Sequence, residues 1–567
     1  MSRISASRAR LLPGAATALL LGACAAPDLT APTAAAPAVA APSETEVAFS
    51  ATAAATTAFP ELPRQYVNSA WVEPTGRRIR AADAAALQAA IDTALGGDVI
   101  LLQGGATYVG NFRLRAKPAG TKWITIMTDA PLPAPGTRMT PALAAPLAKL
   151  ETNFVEPVFM TQNDAHHYRI TGVEIRPAAT RTTSIPSLVQ LGYGDSRQTT
   201  TDHLPHDIVL DRVYVHGHPR ISFPRCISLN SGAAAVVDSY VSECHSWGQD
   251  AQAIQGYNGP GPYKIVNNYL EGSGENVMFG GATILIPNQL PSDIEIRGNH
   301  FFKPLAWKGV WLAKNLLELK AAQRVLIENN VFENSWKDGQ SGYGLLFKSS
   351  GMKSNPWVVT RDVYVHFNVM RNVAWAVNVN DNDSWNQPAG RIRISQNLFD
   401  GIGASNGTYA GRGIMLQGKI SDVAVVHNTI IPNTSTGTVW LLDGGPGEKG
   451  SNLTVTDNLV IKGAYGMQSS GWGEGTEGLD HYFTSWTWKN NLQVGFSGSK
   501  YPSTNFAPAT TADVGFVDFA GHDYRLLPTS PYARGASDGT DPGVQVESVE
   551  ARTASAVAAP VTGAGAN

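Results

Sequence analysis

The chain has 567 residues, a formal net charge of −3, 43% hydrophobic residues and 16% charged residues. Near-neutral charge, with no basic run and no aromatic-basic interleaving, excludes a nucleic-acid partner. Its 56 Gly and 35 Pro favour a turn-dense all-β protein over a helical one.

The chain opens with Arg3, Arg8 and Arg10, followed by the short apolar core LLPGAATALLLGA. This is the pattern of an export signal over residues 1–24, too short for a membrane span. The core ends in Leu21-Gly22-Ala23-Cys24, which resembles the lipobox of bacterial lipoproteins. That resemblance implies cleavage before Cys24, lipidation of Cys24 and a membrane partner reached through the lipid. Ala25 in place of Asp implies the outer membrane. An ordinary secretory signal cut near GACAA is the alternative. Residues 25–58 are Ala/Pro/Thr-rich without apolar periodicity and are expected to form a disordered tether.

Folded structure is expected over residues 59–545. It begins with a helix: Asp83 can cap it, Leu87, Ala90, Ile91 and Leu95 share a face, and Gly96-Gly97 ends it. The rest is a repeat. An amide recurs in one apolar frame at Asn268, Asn299, Asn330, Asn368, Asn397, Asn428, Asn458 and Asn491, in steps of 31, 31, 38, 29, 31, 30 and 33 residues. Earlier copies near Arg212 and Ser239 keep the frame without the amide. One short strand precedes each amide, one follows it, and a third lies further on, as in ENVMFGG, LLELKA, LLFKSS, AVNVND, IMLQGK and TVWLLDG. Three strands per coil of roughly 30 residues predict a right-handed parallel β-helix solenoid with an N-terminal capping helix. The helix protects an end that would otherwise expose unpaired backbone and core. The amides should sit at left-handed corners and hydrogen-bond from coil to coil. Residues 546–567 are expected to be a disordered tail.

Cys226 and Cys244 occupy neighbouring coils. Export permits a disulfide, but spacing alone leaves the pairing open. Two thiols without paired His spacing give no zinc-site pattern.

GGDVILLQGGATYVGNF, the Asn-cornered coils and LLPTSPYARGASDGTDPG resemble right-handed β-helix proteins of the pectate-lyase-like superfamily. Many enzymes of that superfamily work on the outer face of one long sheet. Alternation along the third strands turns Glu318, Lys320, Lys348, Asn378, Asn380 and Gln417 outward, with Gln255 and Gly280 expected in register in one polar column. Lys320 and Lys348 become neighbours on adjacent rungs, and two like charges that close favour one neutral amine. The order LLELKAAQRVLIENNVFENSWKDGQSGYGLLFKSS resembles the lysine rung followed by the arginine rung of alginate and chondroitin β-helix lyases. The resemblance implies Lys320 as base and Lys348 as the group that neutralises or donates, with Glu318 beside them. Lys348 stands where the family has Arg and lacks its bidentate fork. The same families bind calcium one rung earlier, where this chain supplies Glu275 with Asp250 nearby but no second Glu. Calcium is therefore a weak expectation. Asp381 and Asp383 alternate in VNDNDSWNQP, read first as an Asx-rich turn.

Trp336 and Trp385 fall in loops, where they can stack on sugar rings or equally pack the loops against the solenoid, whereas Trp375 reads as core. The expected partner is a polysaccharide, either cleaved by β-elimination of a uronate polymer or, as the alternative, bound by a non-catalytic surface adhesion protein.

Overall fold

Residues 58–403, 411–433 and 437–557 are described by a computed structural model. Successive short strands wind into coils, and each coil adds one strand to each of three parallel sheets. The first sheet has 14 strands, from Arg78–Ala81 to Trp486–Lys489. The second has 13, from Thr107–Val109 to Leu492–Val494, and the third has 12, from Phe112–Leu114 to Tyr465–Ser469. The chain is the expected all-β parallel β-helix. Its interior is stacked in register: Ile265, Ile296, Ile327, Val365, Ile394, Val425 and Val455 pair in sequence along the first sheet and are all buried. β-Branched side chains suit this arrangement because their stiff rotamers pack on a pleated surface.

The amide ladder is continuous. Asn330 Nδ2 donates to Asn368 Oδ1 at 3.0 Å and to Ile296 O at 2.9 Å, while its own Oδ1 accepts from Asn299 Nδ2 at 3.0 Å and Asn299 N at 2.9 Å. The same pattern runs from Asn268 to Asn491 and ends on Asn505, while Ser239 opens it by donating its backbone N–H to Asn268 Oδ1 at 2.9 Å. One detail differs from expectation. The left-handed corner belongs to the residue before each ladder amide: Asn267, Gly298, Asn329, Phe367, Gln396, His427, Asp457 and Asn490 have φ between 51° and 63°. The Asn329-Asn330 pair thus divides two tasks, turning the chain and bonding the stack.

The helix Ala84–Thr93 caps the N-terminal end, with Asp83 accepting from Ala86 N at 2.8 Å. Leu87, Ala90 and Ile91 are buried, whereas Leu95 lies beyond the helix and is exposed. At the other end the tail expectation is corrected over part of its length. Val546–Val557 is a helix whose Val546, Val549, Thr553 and Ala556 are buried. These apolar side chains join a cluster with Val331, Val369 and Leu398 of the second sheet. Arg138 donates to Ala556 O, so the segment is held at its far end as well. Residues 1–24 with Cys24, the tether up to residue 57, and residues 558–567 lie outside the described residues. No described helix is long and apolar enough to cross a membrane. Cys226 and Cys244 form a disulfide with Cα atoms 5.7 Å apart, which answers the pairing left open by their spacing.

Two of the three outer faces are covered in part. Along the first sheet runs the segment from Phe59 to Trp71. Phe59 packs on Tyr364, Glu61 N donates to Asp362 at 3.1 Å, Arg64 N donates to Asp293 at 2.9 Å, and Trp71 lies against Arg169 and Arg212. Over the second sheet, Met139 and Leu147 meet Tyr214 and Tyr240, and the C-terminal helix takes the later coils. The third sheet carries the outward side chains of the expected polar column.

Candidate functional site

Register on the third sheet sorts its outward side chains into files. One file pairs Gln255 with Met278, then Glu318, Leu346, Asn378 and Met415. The next pairs Lys348 with Asn380, Gln417 and Asp443. Lys320 directly follows the Leu317–Leu319 strand, whose Leu319 pairs with Phe347, and so stands beside Lys348. The expected column holds for Lys320, Lys348, Asn380 and Gln417. Gln255 belongs to the file of Glu318 instead, and Arg225 donates to its side-chain oxygen. Asn378 is also in that file and is buried.

Strand geometry fixes these positions, but surrounding loops decide what they do. Glu318 points away from the core and is nevertheless fully buried, receiving Asn315 Nδ2 at 3.1 Å and Lys320 Nζ at 2.7 Å. One coil earlier Glu275 is equally buried, with Gln252 Nε2 donating to its Oε2 at 2.7 Å and its Oε1 finding no N–H or hydroxyl donor. Burial raises the Glu275 pKa well above the carboxylate range, and Glu318 and Asp250 add to the rise. Glu275 and Glu318 are thus two buried carboxyl groups close enough to influence one another.

Lys320 is not depressed as expected. Burial works against the charge on Lys320, but Glu318 outweighs it through charge and hydrogen bond, helped by Glu275 and Asp250, so the Lys320 pKa is raised. Lys348 has its own carboxylate: its Nζ lies 2.8 Å from Asp383 Oδ1, and Ser350 donates to Asp383 Oδ2 at 2.7 Å. Burial opposes the Asp383 charge, yet Lys348, Ser350 and the nearby Lys320 carry its pKa below the ordinary value. Each ammonium is thus screened from its neighbour by a carboxylate. The geometry places two adjacent cations here and gives no neutral amine at Lys320.

Asp250 is paired with Lys314, and Glu275 and Asp250 form no group of three acidic or imidazole ligands among the described residues. Asp381 and Asp383 also diverge, Asp381 accepting from Lys419 N and Asp383 from Lys348.

Of the two expected tryptophans, Trp385 is exposed and Trp336 is not. Trp336 is buried with Trp307 and Trp311 and presents nothing to a ligand. Trp311 stacks on His245 at 3.8 Å and carries Trp247, which is 62% exposed. Trp385 keeps its place, 39% exposed, with Nε1 donating to Gly351 O at 2.6 Å and Lys353 above its ring. Trp375 is an outer-face residue and not core: it packs on Tyr343 at 5.2 Å under Arg412, beside Leu346, Met415 and Leu441. This apolar platform interrupts the polar face after the coil of Glu318. Asn380 Nδ2 donates to Gln417 Oε1 at 3.0 Å, and Gln417 Nε2 to Asp443 Oδ2 at 3.2 Å, so these amides brace one another along its edge.

Sequence reasoning also passed over Lys303. It is fully buried and donates to the carbonyls of Gly272, Ser273 and Gly274 and to Asn276 Oδ1. Four oxygen acceptors pin the turn that carries Glu275 into the sheet. Only the run of carbonyls in the GSG turn hints at this, and it has meaning only once Lys303 is folded beneath it.

No family model and no curated protein matches the chain. Among solved structures, the PL6 family alginate lyase AlyGC aligns at 12% identity over 82% of this chain and 58% of its own, with a TM-score of 0.40. An alginate lyase from Paenibacillus sp. str. FPU-7 aligns at 14% identity over 66% and 93%, with a TM-score of 0.27. The A-module of the Azotobacter vinelandii mannuronan C-5 epimerase AlgE6 aligns at 11% identity over 72% and 94%, with a TM-score of 0.36. These likenesses concern the coiled-strand architecture and carry no argument about chemistry.

Proposed function

We infer that the outer face of the third sheet binds a polysaccharide bearing carboxylate groups. The observation that carries this reading is the pair of ammonium groups, Lys320 and Lys348, on adjacent coils, each anchored by a carboxylate and still partly open to solvent at 18% and 26%. Held this way they lose little side-chain entropy on binding an anion. Trp247 and Trp385 supply exposed indole faces for sugar rings. Calorimetric titration with polyuronates and with neutral glucans tests the reading. Affinity for polyuronates that falls in Lys348→Ala supports it, and equal affinity for both polymer classes overturns it.

A second reading, β-elimination, is favoured by the placement of the two lysines on successive coils. In it Lys320, charged at rest, neutralises the uronate carboxylate and so acidifies the adjacent C–H; Lys348, after giving up a proton, takes the C–H proton, the C–H electron pair forms the double bond as the glycosidic C–O bond breaks, and the leaving oxygen takes a proton from Lys348 or water. Its product is an unsaturated uronate that absorbs in the ultraviolet. Polyuronates bound without any such product would leave binding as the whole function. Export and attachment through Cys24 to an outer membrane form part of the same proposal, tested by lipid labelling in wild type and Cys24→Ala.

A further inference from the structure

On the outer face of the first sheet, histidines of two neighbouring coils meet. The strands His166–Thr171 and His206–Asp211 are in register with His206 opposite His166, and the two rings stack at 4.8 Å. At the next position both chains pass through the left-handed region, with φ of 57° at His167 and 50° at Asp207. Later coils repeat that conformation at Asp293, Arg324, Asp362, Arg391, Asp422 and Asn452. There the side chains close on one another: Arg324 on Asp293, Arg391 on Asp362 and Asn452 on Asp422, each at 2.6 Å. The coils of His167 and Asp207 have no guanidinium or amide at that position. In its place they bring together His167, His206 and Asp207, whose ligand atoms all lie within 4.8 Å of one another.

The surrounding hydrogen bonds prepare these groups. His166 Nε2 lies 2.9 Å from Lys117 O and must donate to it, so His166 Nδ1 accepts from His167 Nδ1 at 2.8 Å. His167 Nε2 is thereby left unprotonated, the state a metal ligand requires. His206 Nδ1 lies 2.6 Å from Asp207 Oδ2, so these two atoms already face one another, and an ion binds both by taking the place of the proton between them. All three ligand residues are partly exposed, so an ion can enter from solvent.

We propose that His167, His206 and Asp207 bind a divalent transition-metal ion of the zinc class, with water completing the coordination and His166 orienting His167. Two imidazoles and one carboxylate select such an ion over calcium or magnesium, which prefer all-oxygen shells. The bound ion ties two adjacent coils at the point where the later Asp/Arg pairing is missing.

The test uses the chain without a histidine tag, stripped with chelator and dialysed, then titrated with zinc sulfate. Retention of one zinc per chain after desalting, with no calcium retained, is the expected result. His167→Ala/His206→Ala should retain none, and His166→Ala should bind about 10- to 100-fold more weakly. No retained zinc in the wild type, or one zinc retained by the double variant, overturns the proposal. Should the variants misfold, the wild type still decides. Zinc must protect His167 and His206 from acylation by diethylpyrocarbonate, read by peptide mass mapping, and equal labelling with and without zinc sinks the site.

Discussion

Lys320 and Glu318, two residues apart on the outer side of the third sheet, form an ion pair with Nζ and Oε1 2.7 Å apart, in which the carboxylate is fully buried. The pairing turns a proposed proton acceptor into a fixed cation. It also makes Lys320 structural. Lys320→Ala leaves Glu318 buried without its counter-charge and is expected to cost about 2–4 kcal/mol. A melting curve reads this loss, and an unchanged Tm would show that the pair does not hold as described.

Lys348 allows binding to be separated from stability. Its pair with Asp383 is a quarter exposed on both sides, at 26% and 26%, so its loss should cost under about 1 kcal/mol. Polyuronate affinity in Lys348→Ala should nevertheless fall at least about tenfold, or ~1.4 kcal/mol. Calorimetry beside a melting curve checks both halves. Retained affinity would remove Lys348 from the site.

Glu275 predicts an unusual pH dependence. Its folded pKa is raised by burial and by Glu318, so below the unfolded value both states hold the proton and its contribution is fully present. As pH rises, the unfolded chain ionises first, and stability falls progressively until the folded pKa is reached. Glu275→Gln keeps the shape and an acceptor for Gln252 while removing the titration. The variant should melt about 1–3 °C above wild type near neutral pH and equal it near pH 4. A variant less stable than wild type at every pH would contradict a raised Glu275 pKa.

The two amides of the Asn329-Asn330 corner should respond in opposite ways. Asn330→Ala strands the backbone groups of Asn299 and Ile296, costing about 2–4 kcal/mol. Asn329 has φ 58°, a conformation glycine adopts without strain, so Asn329→Gly should stay within about 1 kcal/mol of wild type. Denaturant unfolding of both variants measures the contrast.

Truncation after Gln545 removes a helix that buries Val546, Val549 and Ala556 against the second sheet. The shortened chain should melt several degrees lower and bind a hydrophobic dye that the full chain does not. Coincident melts would show that the helix contributes nothing.

Much of the architecture was legible in the residues. Asn268 to Asn491 announced the coils because a buried amide stack tolerates one side chain alone and so repeats it visibly. Asp83 marked the capping helix for a local reason, the satisfaction of a free helix N–H. The left-handed corners were expected one residue too late, on the amides, because Phe367, Gln396 and His427 share only a backbone angle, not a chemistry. The C-terminal helix escaped because its buried face is decided by Val331 and Val369, some two hundred residues earlier in the chain.

The candidate site divides along the same line. Alternation alone determined that Glu318, Lys320 and Lys348 leave the core and that the lysines stand on successive coils, since strand side chains have a period of two and coils stack in register. Only the tertiary structure decided that Glu318 is dry, that Lys320 is charged, that Trp336 is walled in while Trp247 is open, and that His167 meets His206 across a coil. Those outcomes depend on loops of unequal length folding over a regular sheet. Burial and proximity between distant segments, unlike periodicity, leave no local pattern along the chain.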